Sequence, residues 1–247
     1  MTSRPTDAVR VAMWSGPRNI STAMMRSFEN RPDAVVVDEP LYAAYLDRTG
    51  IEHPARDEII ASQPKDLERA IEGLSEPLHA GRTVHYAKHM AHHVSQDMDL
   101  RWTLAFHNVL LIRDPAEVVA SYVRSREACE PDDIGLPQQG WLQELWDAHG
   151  ADVPVIDARD FLQDPEGHLR WLCGWLGIPF TDRMLSWPAG PRESDGVWAP
   201  HWYAAVWRST GFEPWRPREV DLSDHDAAVA EACRPTYEAL HARRVRV

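Results

Sequence analysis

Phe106 to Ile112, FHNVLLI, is the most strand-like run in the chain, closing on the unbroken apolar Val109 to Ile112, and it stops abruptly at Arg113-Asp114-Pro115. A run this short, without alternation, reads as a strand buried on both faces, and such strands belong to parallel sheets covered by helices. Further strands fit Val11 to Ser15, Ala34 to Val37, Thr83 to Met90 and Val153 to Asp157. Helical patterns lie between them: one opens at Ser21, a short one spans Ala91 to Asp99, and one begins at Pro115 and continues from Ala116 to Arg126. Others cover Trp141 to His149, Pro165 to Leu176 with Gly177 as terminator, and about Asp224 to Arg243. Strands alternating with helices predict an α/β chain, a three-layer α/β/α sandwich around a mainly parallel sheet of about five strands.

At 247 residues, one domain with insertions is the expectation. Residues 41–81 are helical but broken by Gly50, Pro54, Pro64 and Pro77, and read as a cap of short helices. Residues 127–140 are acidic and hold two prolines and two glycines, which reads as a surface loop able to act as a lid. The net charge of −12 argues against nucleic acid or an anionic membrane as partner and leaves a small anionic ligand open where positive charge is concentrated. Cys129, Cys173 and Cys233 show no C-x-x-C spacing, and MTSRPTDAVR carries no apolar leader. A reducing, cytoplasmic setting without a membrane span is the expectation.

Carboxyl ends of parallel strands are where ligands bind, and the polar residues collect there. In VAMWSGPRNISTAMMRSFENR, Val11 to Arg31, a strand gives way at Ser15-Gly16-Pro17 to Arg18, Asn19 and Ile20, and Ser21 and Thr22 open a helix. The unpaired N–H groups of a helix start, an Arg and two hydroxyls make an anion cradle, and an ordinary turn with a Ser or Thr cap reads equally well on local grounds. Asp38 and Glu39 end the second strand, and Lys88, one of only two lysines, is followed by His89 at the end of the third. Arg113 leaves the buried strand with Ser121 eight residues later on a helix, a spacing that lets both reach one phosphate. His85, His89, His92 and His93 lack a completing carboxylate or thiolate, so no metal is expected.

Taken together, SGPRNIST and IRDPAEVVASY resemble the sulfotransferases that use 3′-phosphoadenosine 5′-phosphosulfate (PAPS) and release adenosine 3′,5′-bisphosphate (PAP). VPVIDARDFLQDPEGHLRWLCGWLGIPF, Val153 to Phe180, resembles the late strand, Asp-Pro turn and helix of that family. The resemblance implies a P-loop-type fold. It gives Arg18, Ser21 and Thr22 with the rest of Ser15 to Thr22 to the 5′-phosphosulfate, and Arg113 and Ser121 to the 3′-phosphate. Trp207 to Phe212, with Arg208, Ser209, Thr210 and Gly211, resembles the loop that closes over the 3′-phosphate. Glu39, in DEPLY, resembles the catalytic Glu of bacterial relatives, with His89 as the rival base and Lys88 as the group facing the leaving oxygen. Two departures stand out: the loop has Arg18 and no Gly between it and Ser21, and the family's Lys-Thr-His survives only as Lys88-His89-Met90. Trp14, beside the loop, is expected to touch the nucleotide.

The implied function is sulfuryl transfer to a hydroxyl or amine of a small-molecule acceptor, partly apolar or cationic. A P-loop small-molecule kinase using ATP is an alternative, because AVVVDE resembles a Walker B strand, although the loop lacks the P-loop Lys. A nucleotide-binding relative without catalysis is another.

Overall fold

A computed structural model describes residues 8–79, 81–124, 128–217 and 219–247. The chain runs β1 (Val9–Ser15), α1 (Ser21–Glu29), β2 (Ala34–Asp38), α2 (Tyr42–Thr49), α3 (Arg56–Ser62), α4 (Leu67–Ser75) and β3 (Val84–Met90). It continues with β4 (His107–Ile112), α5 (Pro115–Tyr122), α6 (Pro131–Ile134), α7 (Leu136–Ala148), β5 (Val155–Asp157), α8 (Ala158–Gln163) and α9 (Pro165–Trp175). The last helices are α10 (Ala199–Trp202), α11 (Ala204–Arg208) and α12 (Asp224–Ala242).

The five strands form one parallel sheet in the order β2-β3-β1-β4-β5. Central β1 thus sends its chain toward β2 and β3 on one side, while β4 and β5 lie on the other, which makes its carboxyl end the switch point of the sheet. Side chains alternate across the sheet. Val11, Met13, Val84, Tyr86, Val109 and Leu111 face α1, α8 and α9. Ala12, Trp14, Ala87, Leu110 and Ile112 face α4, α5, α7 and α12. A third cluster joins α2 and α3, through Tyr42, Leu46 and Ile59, to Trp198, Ala199 and Tyr203 near the other end of the chain. The α/β sandwich is as the sequence indicates.

Two expectations are corrected. Ala91 to Asp99 is not a helix beyond one 3₁₀ turn, Ala91–His93. The acidic stretch expected as a loop is α6 and the first turns of α7, with Ile134, Leu136 and Gln139 buried. Its prolines occupy first-turn positions, where the missing N–H costs nothing, so they open helices rather than break them. Gln139 Nε2 donates to the carbonyls of Trp14 (3.0 Å) and Leu111 (3.2 Å), fastening α7 beneath the ends of β1 and β4. Glu127, the first residue of that stretch, and Arg126, the end of the expected helix, lie outside the described residues, as do residues 1–7 and Ala80.

The turn after β1 is held by a close backbone approach. A Cβ on Gly16 would meet the Ile134 carbonyl oxygen at 2.1 Å. The G16A variant is therefore expected to lose about 1–3 kcal/mol of stability through forced displacement of backbone. G73A, in α4 with nothing within 4 Å of the new methyl, is expected to gain up to about 1 kcal/mol. Thermal melts of the two variants check this pair of opposite signs.

Candidate active site

A cleft of about 900 Å³ opens at the carboxyl ends of the strands, and its floor includes Pro17 to Ala23, Glu39, Lys88, Arg113 and Ser121. Helix α1 begins there with Ile20 as N-cap, no side-chain cap and no acid in its first turn. Its N-terminal N–H groups and partial positive charge are thus left for a ligand. Arg18 adopts a left-handed backbone conformation, φ 55°. A non-glycine residue in that region carries strain of about 1–3 kcal/mol, a feature that clusters at ligand sites. Asn19 stabilises the bend: its Oδ1 accepts the Ile20 N–H (2.8 Å) and its Nδ2 donates to Leu111 O (3.0 Å).

Two arginines converge on this corner. Arg18 Nε donates to Ser121 Oγ (3.0 Å), and Arg113 Nη1 donates to the Arg18 carbonyl (2.8 Å) while pairing with Glu117 at 2.7 Å. Burial, and then the neighbouring Arg113 and Arg124 charges, lower the proton affinity of the Arg18 guanidinium from its usual value. Crowded, half-desolvated guanidinium groups are relieved by an anion.

Opposite the cradle, the parallel register sets Asp38 beside Lys88. Lys88 Nζ donates to Asp38 Oδ1 (2.8 Å), Glu39 Oε1 (2.8 Å) and the Tyr203 hydroxyl. The Tyr203 hydroxyl donates to Asp38 Oδ2 (2.7 Å) and accepts from Trp198 Nε1 (3.2 Å). All three ionisable partners of this knot, Lys88, Asp38 and Glu39, are buried. Burial works against the Lys88 ammonium, but the adjacent Asp38 and Glu39 carboxylates outweigh it and hold its proton well above the ordinary lysine range. Burial raises the proton affinity of Glu39, Lys88 opposes the rise and Asp38 adds to it. Glu39 also has a positive φ, 42°. A carboxylate with raised proton affinity at the wall of a cleft is suited to general-base work.

His89 takes no part. It follows Lys88 on β3, so it points through the opposite face, where its ring stacks on Trp14 at 4.2 Å. Both its nitrogens are buried without a hydrogen-bond partner, and it does not line the cleft. Burial, with a smaller contribution from His85, lowers its pKa to about 3, which leaves it neutral. Trp14 sits on the same far face, fully buried, with its Nε1 donating to Asn108 Oδ1 (3.0 Å) rather than reaching the nucleotide side.

Of the cradle residues, Pro17, Arg18, Asn19, Ile20, Ser21 and Thr22 line the cleft. Ser15 stays buried at the end of β1, and Gly16 lies against Ile134. Of the late loop, Ser209 and Gly211 line the cleft. Arg208, at the end of α11, is exposed and, like Thr210, does not line it. Arg159 and Arg216 supply positive charge there instead, with Arg159 4.5 Å from the centre of the Trp215 ring. Arg159 follows a predicted strand end and was findable by that rule. Tyr203, within a stretch of tryptophans and prolines, carries no pattern that marks it.

A model of the sulfotransferase domain family matches residues 9–244, and the chain belongs to that family. It is similar in fold to the sulfotransferase domain of the Synechococcus PCC 7002 olefin synthase, with 16% identity, coverage of 94% of this chain and 97% of that one, and a TM-score of 0.53. It is equally similar to a sulfotransferase from Alicyclobacillus acidocaldarius, with 16% identity, 98% of each chain and a TM-score of 0.53. Branched-chain-amino-acid aminotransferase-like proteins 1 and 2 of Arabidopsis thaliana are 36% and 34% identical over 232 residues, covering 92% of this chain and 40% of each of theirs. The chain therefore spans about two-fifths of the length of those relatives. No helix among the described residues is long and apolar enough to cross a membrane.

The buried imidazoles carry a consequence for stability. Burial lowers His85 to about 4, His89 to about 3 and His93 well below the ordinary value. Depressed pKa values mean that the unfolded chain takes up protons the folded chain refuses, so stability is lost as pH falls below about 6.5, by about 1.4 kcal/mol per pH unit for each such histidine. H89F keeps the ring against Trp14 and removes one of these slopes. Its melting temperature is expected to fall less than that of the parent between pH 6.5 and 4.5, and an identical fall would refute the assignment.

Proposed function

We propose that this chain is a PAPS-dependent sulfotransferase that moves a sulfuryl group to a hydroxyl or amine of a small-molecule acceptor. The observation that carries the reading is an uncapped helix N-terminus, flanked by Arg18 and by the Arg113 and Ser121 pair, opening into the same cleft as Glu39 and Lys88. A donor with two separated anionic groups suits two such sites, and membership of the sulfotransferase domain family supports sulfuryl as the group moved.

The residues divide the work. The α1 N-terminus, Ser21 and Thr22 hold the 5′-phosphosulfate, and Arg113 and Ser121 hold the 3′-phosphate. PAPS, when bound, supplies an activated sulfuryl group on a bridging phosphate oxygen. Glu39 takes the acceptor's proton as the acceptor atom bonds to sulfur, and Arg18 offsets the charge left on the departing phosphate. Lys88 has all three N–H groups committed to Asp38, Glu39 and Tyr203, which leaves none for the departing oxygen that the resemblance assigns to it; it keeps Glu39 aligned instead. Tyr42, His53, His92 and Trp202 line the cleft beyond Glu39 and suit a compact, partly apolar acceptor. ATP-dependent phosphoryl transfer is less well served, because the turn has no lysine of its own and Lys88 is bound to two carboxylates.

Titration calorimetry with PAP tests the donor site, and absence of binding at millimolar PAP would overturn the reading. R113A is expected to weaken PAP by about 1.5–3 kcal/mol. E39Q is expected to retain PAP affinity and to lose labelled product when radiolabelled PAPS is offered with a panel of small alcohols, phenols and amines.

A further inference from the structure

Tyr203 is more than a wall of the cleft. The Lys88 ammonium has three N–H groups, and all three are committed, to Asp38, Glu39 and Tyr203. The Tyr203 hydroxyl is shared in turn: it accepts from Lys88 and from Trp198 Nε1, and its own proton goes to Asp38 Oδ2. Among the described residues Asp38 Oδ2 has one other donor, the Gly196 N–H at 3.3 Å. One phenol oxygen therefore links the ammonium, the second carboxylate and the segment 196–203, and it lies 3.5 Å from Glu39 Oε1.

We propose that Tyr203 is the positioning residue of the reaction centre, holding Lys88 against both carboxylates and screening Asp38 so that Glu39 alone is free to take a proton. The proposal rests on the reading of Glu39 as the base. Without the hydroxyl, Lys88 loses an acceptor and Asp38 loses its shortest neutral donor, so the unscreened Asp38 charge bears harder on Glu39. The groups that face Glu39 are Asp38 on β2, Lys88 on β3, Tyr203 between α10 and α11, and His93, whose Nε2 stands 3.9 Å from Glu39 Oε2. His53 and His92 line the same cleft. Of these, Tyr203 and Asp38 act on Glu39 with opposite sign when altered. Y203F adds effective negative charge and raises the pH at which Glu39 titrates, whereas D38N removes negative charge and lowers it.

The sequence makes this measurable without an acceptor, because Lys65 and Lys88 are its only lysines. Lys65 is 63% exposed, so selective ¹³Cε,¹⁵Nζ-lysine labelling gives two signals, and K65R assigns them. In the parent protein the Lys88 ammonium protons are expected to exchange with water at least about tenfold more slowly than those of Lys65, because each sits in a buried hydrogen bond. The pH inflection of the Lys88 signal, which senses the proton on Glu39, is expected to rise by about one unit in Y203F and to fall by about one unit in D38N. A Lys88 signal in the parent that exchanges as fast as Lys65 overturns the proposal even if neither variant folds, and so does an inflection that moves the same way, or not at all, in both variants. PAP calorimetry on the same samples is independent: lost PAP binding in the parent defeats the sulfotransferase reading and leaves the Lys88 result to judge the clamp.

Discussion

A lysine ammonium sealed between two carboxylates is the constraint on which the rest of this molecule turns. Stripping one cation and two carboxylates of water costs several kcal/mol per ion, and the mutual attraction offsets that cost only when geometry and accessory hydrogen bonds are complete. Here the parallel pairing of Asp38 with Lys88 fixes two of the ions along adjacent strands. The third is placed by a strained residue, Glu39 at φ 42°, whose N–H is anchored on the Lys88 carbonyl at 2.9 Å. The remaining hydrogen bonds come from far along the sequence, through Tyr203, Trp198 and Gly196. The cap helices α2 and α3 share a core cluster with that late segment, so the residues that complete the charge knot are packed against the cap.

The cradle obeys a related logic on the other side of β1. Its anion-seeking N–H groups are useful only if the turn is rigid before a ligand arrives, since preorganised donors need no rearrangement at the moment of reaction. Rigidity comes from contacts that exclude a side chain at Gly16, from Asn19 bridging to Leu111, and from Gln139 reaching the carbonyls of Trp14 and Leu111. Residues that look like loop in the sequence, Pro131 to Gly140, are thus a supporting wall of the cradle.

The sheet, and the meeting of the Arg18 turn, Arg113 and Ser121 at one cleft, were legible because each depends on short-range pattern: apolar runs, strand ends and helix starts. The acidic stretch before Trp141 misled because proline has two meanings, breaker in the middle of a helix and opener in its first turn, and local composition does not distinguish them. His89 was a different failure. Consecutive residues of one strand face opposite ways, so Lys88 and His89 could not both reach one cleft, and the alternation that identified the strand already contained that answer. Trp14 lies on that same far face, stacked on His89. Tyr203 lay beyond reach of any such rule, because its place in the charge knot arises from a contact across 115 residues with Lys88.

Such long-range contacts do more than complete the charge knot. Arg26, buried in α1, pairs with Asp195 and with Glu29, and Asp195 also accepts from Trp207 Nε1 at 2.9 Å and from the Arg192 N–H at 2.9 Å. Helix α1 opens into the cleft at its N-terminus, and the segment running on from Asp195 through Trp207 carries Tyr203 and the cleft-lining Ser209 and Gly211. The same buried ion pair therefore ties the helix that opens into the cleft to the segment whose Tyr203 hydroxyl meets Lys88. The two sides of the cleft are thereby referenced to a single helix, through a buried arginine whose desolvation is offset by Asp195 and Glu29.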